Sequence, residues 1–450
     1  MRHSLNMKGI PATTRSHSLL LKHSRASSKS KHIYRYIDNI KITLLCGFVT
    51  ILVLRGTIGL GGDISVPSED SNDPMPALAS SKLVDAKDMD ADEEDELQVP
   101  ELDLNQTYSL GPNVDNWDEQ RRAWLLEYPE LALSSSGKPR ILLVTGSPPG
   151  PCDNPAGDHY LLKSIKNKID YCRLHDIDIF YNLAHLDANM QEYWSKIPLV
   201  RKLMLTHPEM EWIWWMDSDA IITDMVFELP LEKYRNHNLI VHGWEKEVYE
   251  KQAWVGLNAG IYLIRNCQWS LEMLDAWAPM GPKGKIREEA GKVLRDALVG
   301  RPAFEADDQS ALIYLLITQK DKWGDKVFLE NKYYLHGYWV PIVERYEENI
   351  EKYRPGYGDE RWPFVTHFVG CKPCGSYGDY SIEQCLKQME RAFNFGDDQI
   401  LQMYGFQHRS LGTFRVKRTK DDTDRPLEFP ADALNLLHPS FSQPIWRSLH

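Results

Sequence analysis

Apolar residues follow two different rhythms along this chain. Near the start, Ile42-Thr-Leu-Leu-Cys-Gly-Phe-Val-Thr-Ile-Leu-Val-Leu54, Arg55 and Gly-Thr-Ile-Gly-Leu60 make 19 residues with a single charge, close to the ~20 that cross a bilayer core as a helix. Arg55 sits toward one end, where a long side chain can snorkel to the interface. The 41 residues ahead of this run are too many for a signal-peptide leader, and no small-residue cleavage site follows, so residues 42–60 predict an uncleaved signal anchor. From Gly137 onward, short apolar runs alternate with helical patterns. Strands are expected at Ile141–Thr145, Ile177–Asn182, Trp212–Met216, Asn238–His242, Leu257–Ile264, Val327–Glu330 and Phe364–Val369. Helices are expected at Gly157–Cys172, Tyr193–Leu205, Trp269–Trp277, Gln309–Thr318 and Ile382–Phe395. Trp212-Ile-Trp-Trp-Met216 is apolar throughout, as a parallel strand covered on both faces should be. Such alternation predicts an α/β fold.

Charge divides the chain further. The 450 residues carry a net −12, which excludes general nucleic-acid binding, since that requires a basic face. Residues 1–41 hold +8, residues 63–104 hold −12, and residues 105–450 hold −9. Basic residues ahead of the span keep the N-terminus cytoplasmic, so 1–41 reads as a cytoplasmic tail and everything after the anchor as luminal. The acidic stretch, poor in aromatics, reads as a disordered stem over 61–104. Residues 105–450 then form the luminal domain, with a tail from about 411 expected to be loosely attached. Asn105-Gln-Thr107 is a sequon, a glycosylation acceptor in a luminal setting. Six cysteines (Cys152, Cys172, Cys267, Cys371, Cys374 and Cys385) follow the span, enough for up to three disulfides in an oxidising compartment. Cys371-Lys-Pro-Cys374 has the spacing of a zinc half-site or a redox pair, but no second Cys/His pair completes a zinc ribbon.

The chemistry concentrates at Asp217-Ser-Asp219, directly after the apolar strand Trp212–Met216. Ligands of a parallel sheet bind beyond its carboxyl ends, and two acids at i and i+2 can face one hard cation. Phe304-Glu-Ala-Asp-Asp-Gln309 supplies more acids at a helix start, where capping the helix is the competing role. Thr366-His-Phe-Val-Gly-Cys-Lys372 closes another apolar strand with a histidine and a lysine, suited to a metal and a phosphate or, for His367, to a structural bond.

With these motifs in view, the sequence resembles the plant glycosyltransferases that comprise xyloglucan 6-xylosyltransferases and galactomannan galactosyltransferases (glycosyltransferase family 34). The resemblance runs nearly end to end from Tyr108 to about Ser410. It is carried by Gly157-Asp-His-Tyr-Leu-Leu-Lys-Ser-Ile-Lys-Asn-Lys-Ile-Asp-Tyr-Cys-Arg-Leu-His175, Trp214-Trp-Met-Asp-Ser-Asp-Ala220, Arg265-Asn-Cys-Gln-Trp269, Trp277-Ala-Pro-Met-Gly-Pro-Lys-Gly284, Phe304-Glu-Ala-Asp-Asp-Gln-Ser310 and Thr366-His-Phe-Val-Gly-Cys-Lys-Pro-Cys-Gly375. It implies a GT-A (Rossmann-like) fold, a Golgi type II membrane protein, a UDP-sugar donor and retained anomeric configuration. Asp217, Asp219 and His367 would hold Mn²⁺ against the donor diphosphate, with Ser218 beside them. Lys372 would bind the diphosphate, and Thr145, Gly146 and Ser147 would lie near the nucleotide. Asp307, Asp308 and Gln309 would line the sugar and acceptor pocket. Trp244, Tyr338 and Trp339 are candidates for stacking on a β-1,4-glucan acceptor. Partners implied are related glycosyltransferases, as homo- or hetero-oligomer, and a glucan synthase. Ala259 is closer to the galactosyltransferase pattern, whereas 281–293 and 358–364 look like xylosyltransferases. UDP-xylose is therefore the expected donor, with UDP-galactose and galactomannan as the alternative, and a catalytically silent scaffold as the alternative from another class.

Overall fold

The computed structural model describes residues 108–419, apart from positions 148, 191, 376 and 377. These all fall within one compact unit, Glu94–His450. The cytoplasmic tail, the anchor at 42–60, the stem, Asn105 and the chain beyond residue 419 lie outside the described residues. Among the described residues no helix is long and apolar enough to cross a membrane.

A six-stranded sheet organises the unit. Its strands are β1 (Ile141–Gly146), β2 (Asp178–Asn182), β3 (Trp212–Met216), β5 (Leu239–Gly243), β6 (Leu257–Arg265) and β7 (Val327–Glu330), in the order β2-β1-β3-β6-β5-β7. β1 runs parallel to β2 and β3, while β6 is antiparallel to both of its neighbours, β3 and β5. The sheet is therefore mixed, and β3 has one parallel and one antiparallel partner. A second ladder pairs β4 (Ala220–Ile222) with β8 (Val365–His367), antiparallel.

The period of two along β3 explains why its sequence is apolar throughout. Ile213 and Trp215 enter one core with Leu142, Val144, Val241 and Tyr262, whereas Trp212, Trp214 and Met216 enter another with Leu143, Ile240 and Leu263. Helices α3 (Lys196–Thr206), α4 (Gln268–Trp277) and α6 (Asp308–Thr318) cover the first face. On the second face Tyr171 and Cys172 of α2 (Pro155–His175) and Ile400 of α7 (Ile382–Met403) close the core. Truncating a side chain as buried as Trp214 would cost about 3–5 kcal/mol.

The expected strands and helices are all present. Tyr193–Leu205 divides into a 3₁₀ turn, Glu192–Ser195, followed by α3, and α7 runs on to Met403 rather than ending near Phe395. The sequence reading did not foresee α1 (Trp117–Glu127), α5 (Lys285–Ala297) or β4. α5 carries few apolar residues, and only their spacing, Ala290, Leu294 and Ala297 inward, marks its buried side. The described part of the tail departs from the expected loose attachment: β9 (Phe406–His408) and β10 (Val416–Arg418) form an antiparallel hairpin. His408 anchors it to α7 through Asp397, at 3.0 Å.

Among the described residues two disulfides form, within the expected limit of three: Cys152–Cys374 and Cys371–Cys385, with Cys172 and Cys267 as thiols. The two cysteines of the C-x-x-C pair with partners outside the motif, so it is neither a zinc half-site nor a redox pair here. One bridge ties the segment after β1 to the segment after β8, and the other ties that second segment to α7.

Candidate functional site

The backbone itself assembles the site. β3 ends at Met216 and hands the chain to Asp217-Ser-Asp219, after which β4 begins. The β4–β8 register sets Ala220 opposite His367. Phe368 N–H also donates to the Asp219 carbonyl, at 3.1 Å. His367, nearly 150 residues further along the chain, thereby lands beside the acidic pair. Its Nε2 lies 3.2 Å from Asp219 Oδ1 and 3.9 Å from Asp217 Oδ2. One ligand atom from each of Asp217, Asp219 and His367 falls within 4.8 Å of the others.

A metal ion fits this donor set. Two carboxylate oxygens and an imidazole nitrogen suit a divalent cation. Gly260 of β6 keeps the space open: a Cβ there would stand 2.4 Å from His367 Cε1 and 2.7 Å from Asp217 Oδ2. Asp217 and His367 are also held from behind. Trp215 Nε1 donates to Asp217 Oδ1 at 2.7 Å. His336 bonds His367 Nδ1 through its own Nδ1 at 2.8 Å, leaving Nε2 turned to the carboxylates. Beneath the turn, Ser164 of α2 donates to the Ser218 carbonyl, and the buried Lys168 donates to the Ala220 carbonyl at 2.7 Å. Burial pushes Lys168 down to about 7, against the pull of Asp219 and Asp217. Burial would raise the Asp219 carboxyl, but His367 and then Lys372 outweigh it and hold it below the usual range. His336 is driven well below an ordinary histidine by burial and then by His367 and His242, which keeps its ring neutral.

The remaining sequence-predicted residues divide. Thr145, Gly146 and Ser147 end β1 on the same sheet edge as Asp217. Gly146 runs so close to β2 that a Cβ would meet the Asn182 carbonyl at 2.8 Å, and the buried Thr145 Oγ1 has no hydrogen-bond partner. Lys372 is exposed and lies between the two disulfide cysteines of its loop. Asp308 is buried at the start of α6, 2.6 Å from Lys196 Nζ, which is itself 3.9 Å from Asp217. Burial pushes Asp308 up to about 6; Lys196 opposes the rise and Asp307 adds to it. Gln309 accepts from Asn258 Nδ2 and Ala259 N and donates to the Trp254 carbonyl.

Asp307 behaves otherwise. It is the N-cap of α6, accepting from Ser310 N at 2.8 Å and from Arg301 at 2.9 Å. The capping role is thus the one it fills, and both of its oxygens are engaged. Among the stacking candidates, Trp244 is exposed, Tyr338 is half-buried with its hydroxyl on Tyr380, and Trp339 lies in the core against Phe368. Trp339 is therefore not available for stacking.

Lys196 and His336 escaped the sequence reading. Each acts through a partner more than 20 residues away, and neither belongs to a local motif. Ala259 also changes meaning. Its methyl is buried in the first core, whereas Asn258 is half-buried and a Cβ on Gly260 would point at His367 and Asp217. It does not line a sugar pocket.

Residues 137–378 match the galactosyl transferase GMA12/MNN10 family. Probable xyloglucan 6-xylosyltransferase 5 of Arabidopsis thaliana is 60% identical over 89% of this chain and 88% of that protein. Xyloglucan 6-xylosyltransferase 1 of the same plant is 56% identical over 91% of this chain and 95% of that protein. A solved glycosyltransferase involved in glycosylation of the major capsid of PBCV-1 shares 15% identity over 56% of this chain and 99% of that one, with a TM-score of 0.35.

Proposed function

The chain belongs to the galactosyl transferase GMA12/MNN10 family, and from that premise we propose that it transfers xylose from UDP-xylose to the 6-hydroxyl of glucose in a β-1,4-glucan, with retention and with Mn²⁺ in a GT-A site. The observation that carries this reading is the Asp217–Asp219–His367 cluster at the carboxyl edge of the sheet, taken with relatives named xyloglucan 6-xylosyltransferase that match about nine-tenths of the chain. Ala259, the residue closer to the galactosyltransferase pattern, is buried in the core, and the donor preference rests on the named relatives.

Asp217, Asp219 and His367 would hold the ion, whose charge offsets that gathering on the diphosphate as the sugar's glycosidic bond breaks. Lys372 adds a second positive charge beside that diphosphate. Gly146 lets the end of β1 lie tight against β2 beside the nucleotide, and Asn258 and Gln309 set hydrogen-bonding groups along the sugar side. Asp307 has both oxygens engaged and Asp308 is paired with Lys196. Neither is a free nucleophile, which supports an oxygen of the departing diphosphate as the group that takes the proton from the acceptor hydroxyl. Asp308 and Lys196 then keep Asp217 in place and shape the acceptor side.

The reading includes a Golgi lumen location behind the signal anchor, and the two disulfides are what an oxidising compartment allows. It also includes assembly with related glycosyltransferases and a glucan synthase. The test offers the purified enzyme UDP-xylose or UDP-galactose with Mn²⁺, against cello- and manno-oligosaccharides. Xylosylation of cellohexaose is expected. Galactose transfer to mannan without xylosylation would replace the reading with the galactomannan one, and no transfer at all would favour the scaffold.

A further inference from the structure

The carboxyl edge of the sheet carries more than the metal cluster. β5 runs in the same direction as β1 and β3, because two antiparallel pairings separate it from β3. Its carboxyl end, at Gly243 and Trp244, therefore opens on the same edge as Thr145–Ser147 and Asp217, as does the start of β6 at Leu257. In the order β2-β1-β3-β6-β5-β7, β1 lies on one side of β3 and β5 on the other. Neighbouring strands stand ~4.8 Å apart, which puts β5 about 10 Å beyond β3. The nucleotide end and the β5 end thus flank the metal cluster on opposite sides.

That far side is apolar and exposed. Trp244 is 45% exposed, Val255 58%, Val299 64% and Phe304 40%. Backbone and ring contacts join Trp254, Val299 and Phe304, while Trp244, whose ring meets His242 edge-on with centroids 4.8 Å apart, is tied to them through its backbone. Trp244 N–H donates to the Gly256 carbonyl, Trp254 N–H to the Val299 carbonyl, and the Trp254 and Phe304 rings meet edge-on with centroids 6.2 Å apart. Phe304 is held from behind by the guanidinium of Arg301, 4.0 Å from its ring centre. That buried arginine is itself fixed by Ser310, Asp307 and backbone carbonyls. Gln309 joins the surface to the metal cluster, bonding Trp254 on one side and Asn258 and Ala259 on the other, one residue from Gly260.

We propose that Trp244, Trp254 and Phe304, with Val255 and Val299, form the floor on which the acceptor glucan lies, with Gln309 at the end nearest the reacting hydroxyl. The inference rests on the glucan-acceptor reading above and names the residues that would recognise the chain. Glucose units of a β-1,4-glucan carry their hydroxyls around the ring rim and present C–H groups on both flat faces. Such a ribbon covers apolar surface while its rim stays in water, and rigid aromatic side chains offer the area at little entropic cost. A ring fixed in advance by Arg301 loses little freedom when a sugar docks on it. Continuity with the metal cluster through Gln309 favours the substrate over a second protein as the occupant.

The test measures KM for cellotriose through cellohexaose and for UDP-xylose, using the full chain with Mn²⁺. Trp254→Ala and Phe304→Ala should each raise the KM for cellohexaose about tenfold, shift the KM for UDP-xylose less than about twofold, and flatten the gain in affinity with acceptor length. Phe304→Ser, on an exposed ring, provides the case least able to disturb folding. Leu126→Ala, an exposed residue of α1 outside this surface, should change neither constant. Unchanged cellohexaose KM in an actively xylosylating Phe304 variant overturns the floor and leaves the function standing. A changed oligomeric state with unchanged KM overturns it in favour of an interface between copies. A wild-type enzyme that never uses cello-oligosaccharides overturns both readings together.

Discussion

His367 can offer the Nε2 lone pair to a metal ion held with Asp217 and Asp219 only while Nδ1 carries the proton, and that proton needs an acceptor. His336 supplies one, 2.8 Å away, from a ring kept neutral by burial and by two neighbouring histidines. His336 is thus a positioning residue: it selects the tautomer and turns the ring. His336→Phe removes the acceptor while keeping an aromatic ring of similar size. Titration calorimetry with Mn²⁺ should show binding about 10–100-fold weaker, with partial recovery in His336→Asn, whose side-chain carbonyl can accept. Equal Mn²⁺ affinity in wild type and the phenylalanine variant would remove His336 from this role. Position 217–219 and His367 were legible from sequence because each sits at the end of an apolar strand, where sites of α/β sheets occur. Lys196, His336 and Gly260 were not, since each takes its meaning from a register or a through-space pair that no local pattern encodes.

Elements differ in how much of themselves the sequence betrays. β3 was readable because both of its faces are buried and every residue is apolar. The β9–β10 hairpin was not: all three residues of β10, Val416–Arg418, are exposed, and what secures the hairpin is polar. His408 Nε2 meets Asp397 at 3.0 Å, its N–H meets Asp398 at 2.6 Å, and its Nδ1 meets the Thr413 carbonyl at 3.1 Å. From α2, Lys166 faces Asp397 and also pairs with Asp170. Burial works against the charged imidazole, but Asp397 and Asp398 raise His408 above its ordinary 6.5. Burial would likewise raise Asp397, yet His408 and Lys166 hold it below its ordinary 3.8. The signs define a window. The His408 contribution is complete below pH 6.5 and fades as pH climbs through its raised value, whereas that of Asp397 persists throughout this range and fades only in acid. Hydrogen exchange of the β9 and β10 amides, corrected for intrinsic rates, should therefore lose protection as pH rises above 6.5 and through the raised value of His408. His408→Gln should be less protected at pH 6 and show no such slope. A hairpin whose protection stays flat with pH in the wild type would assign its attachment to packing instead.

At the scale of the molecule, the net −12 separates into a basic leader, an acidic stem and a domain at −9. If a domain of that sign takes an anionic nucleotide sugar, as proposed, local features must supply the attraction, and an ion held by Asp217, Asp219 and His367, together with Lys372, would do so. The sheet, both cores and both disulfides lie at or beyond residue 108. Every residue named in the candidate site lies between Thr145 and Lys372, beyond the expected leader, span and stem. If those segments serve only to hold the enzyme at a membrane and at a distance from it, the chain beginning at residue 105 should fold unaided when produced in an oxidising compartment. Its kcat and both KM values for UDP-xylose and cellohexaose should agree with those of the detergent-solubilised full chain within about twofold, because tethering alters local concentration rather than the geometry of a bound complex. Steady-state kinetics on the two forms decides the matter. A truncated enzyme that folds and binds Mn²⁺ but turns over tenfold more slowly would give the first 104 residues a part in catalysis or assembly, beyond that of an anchor and spacer.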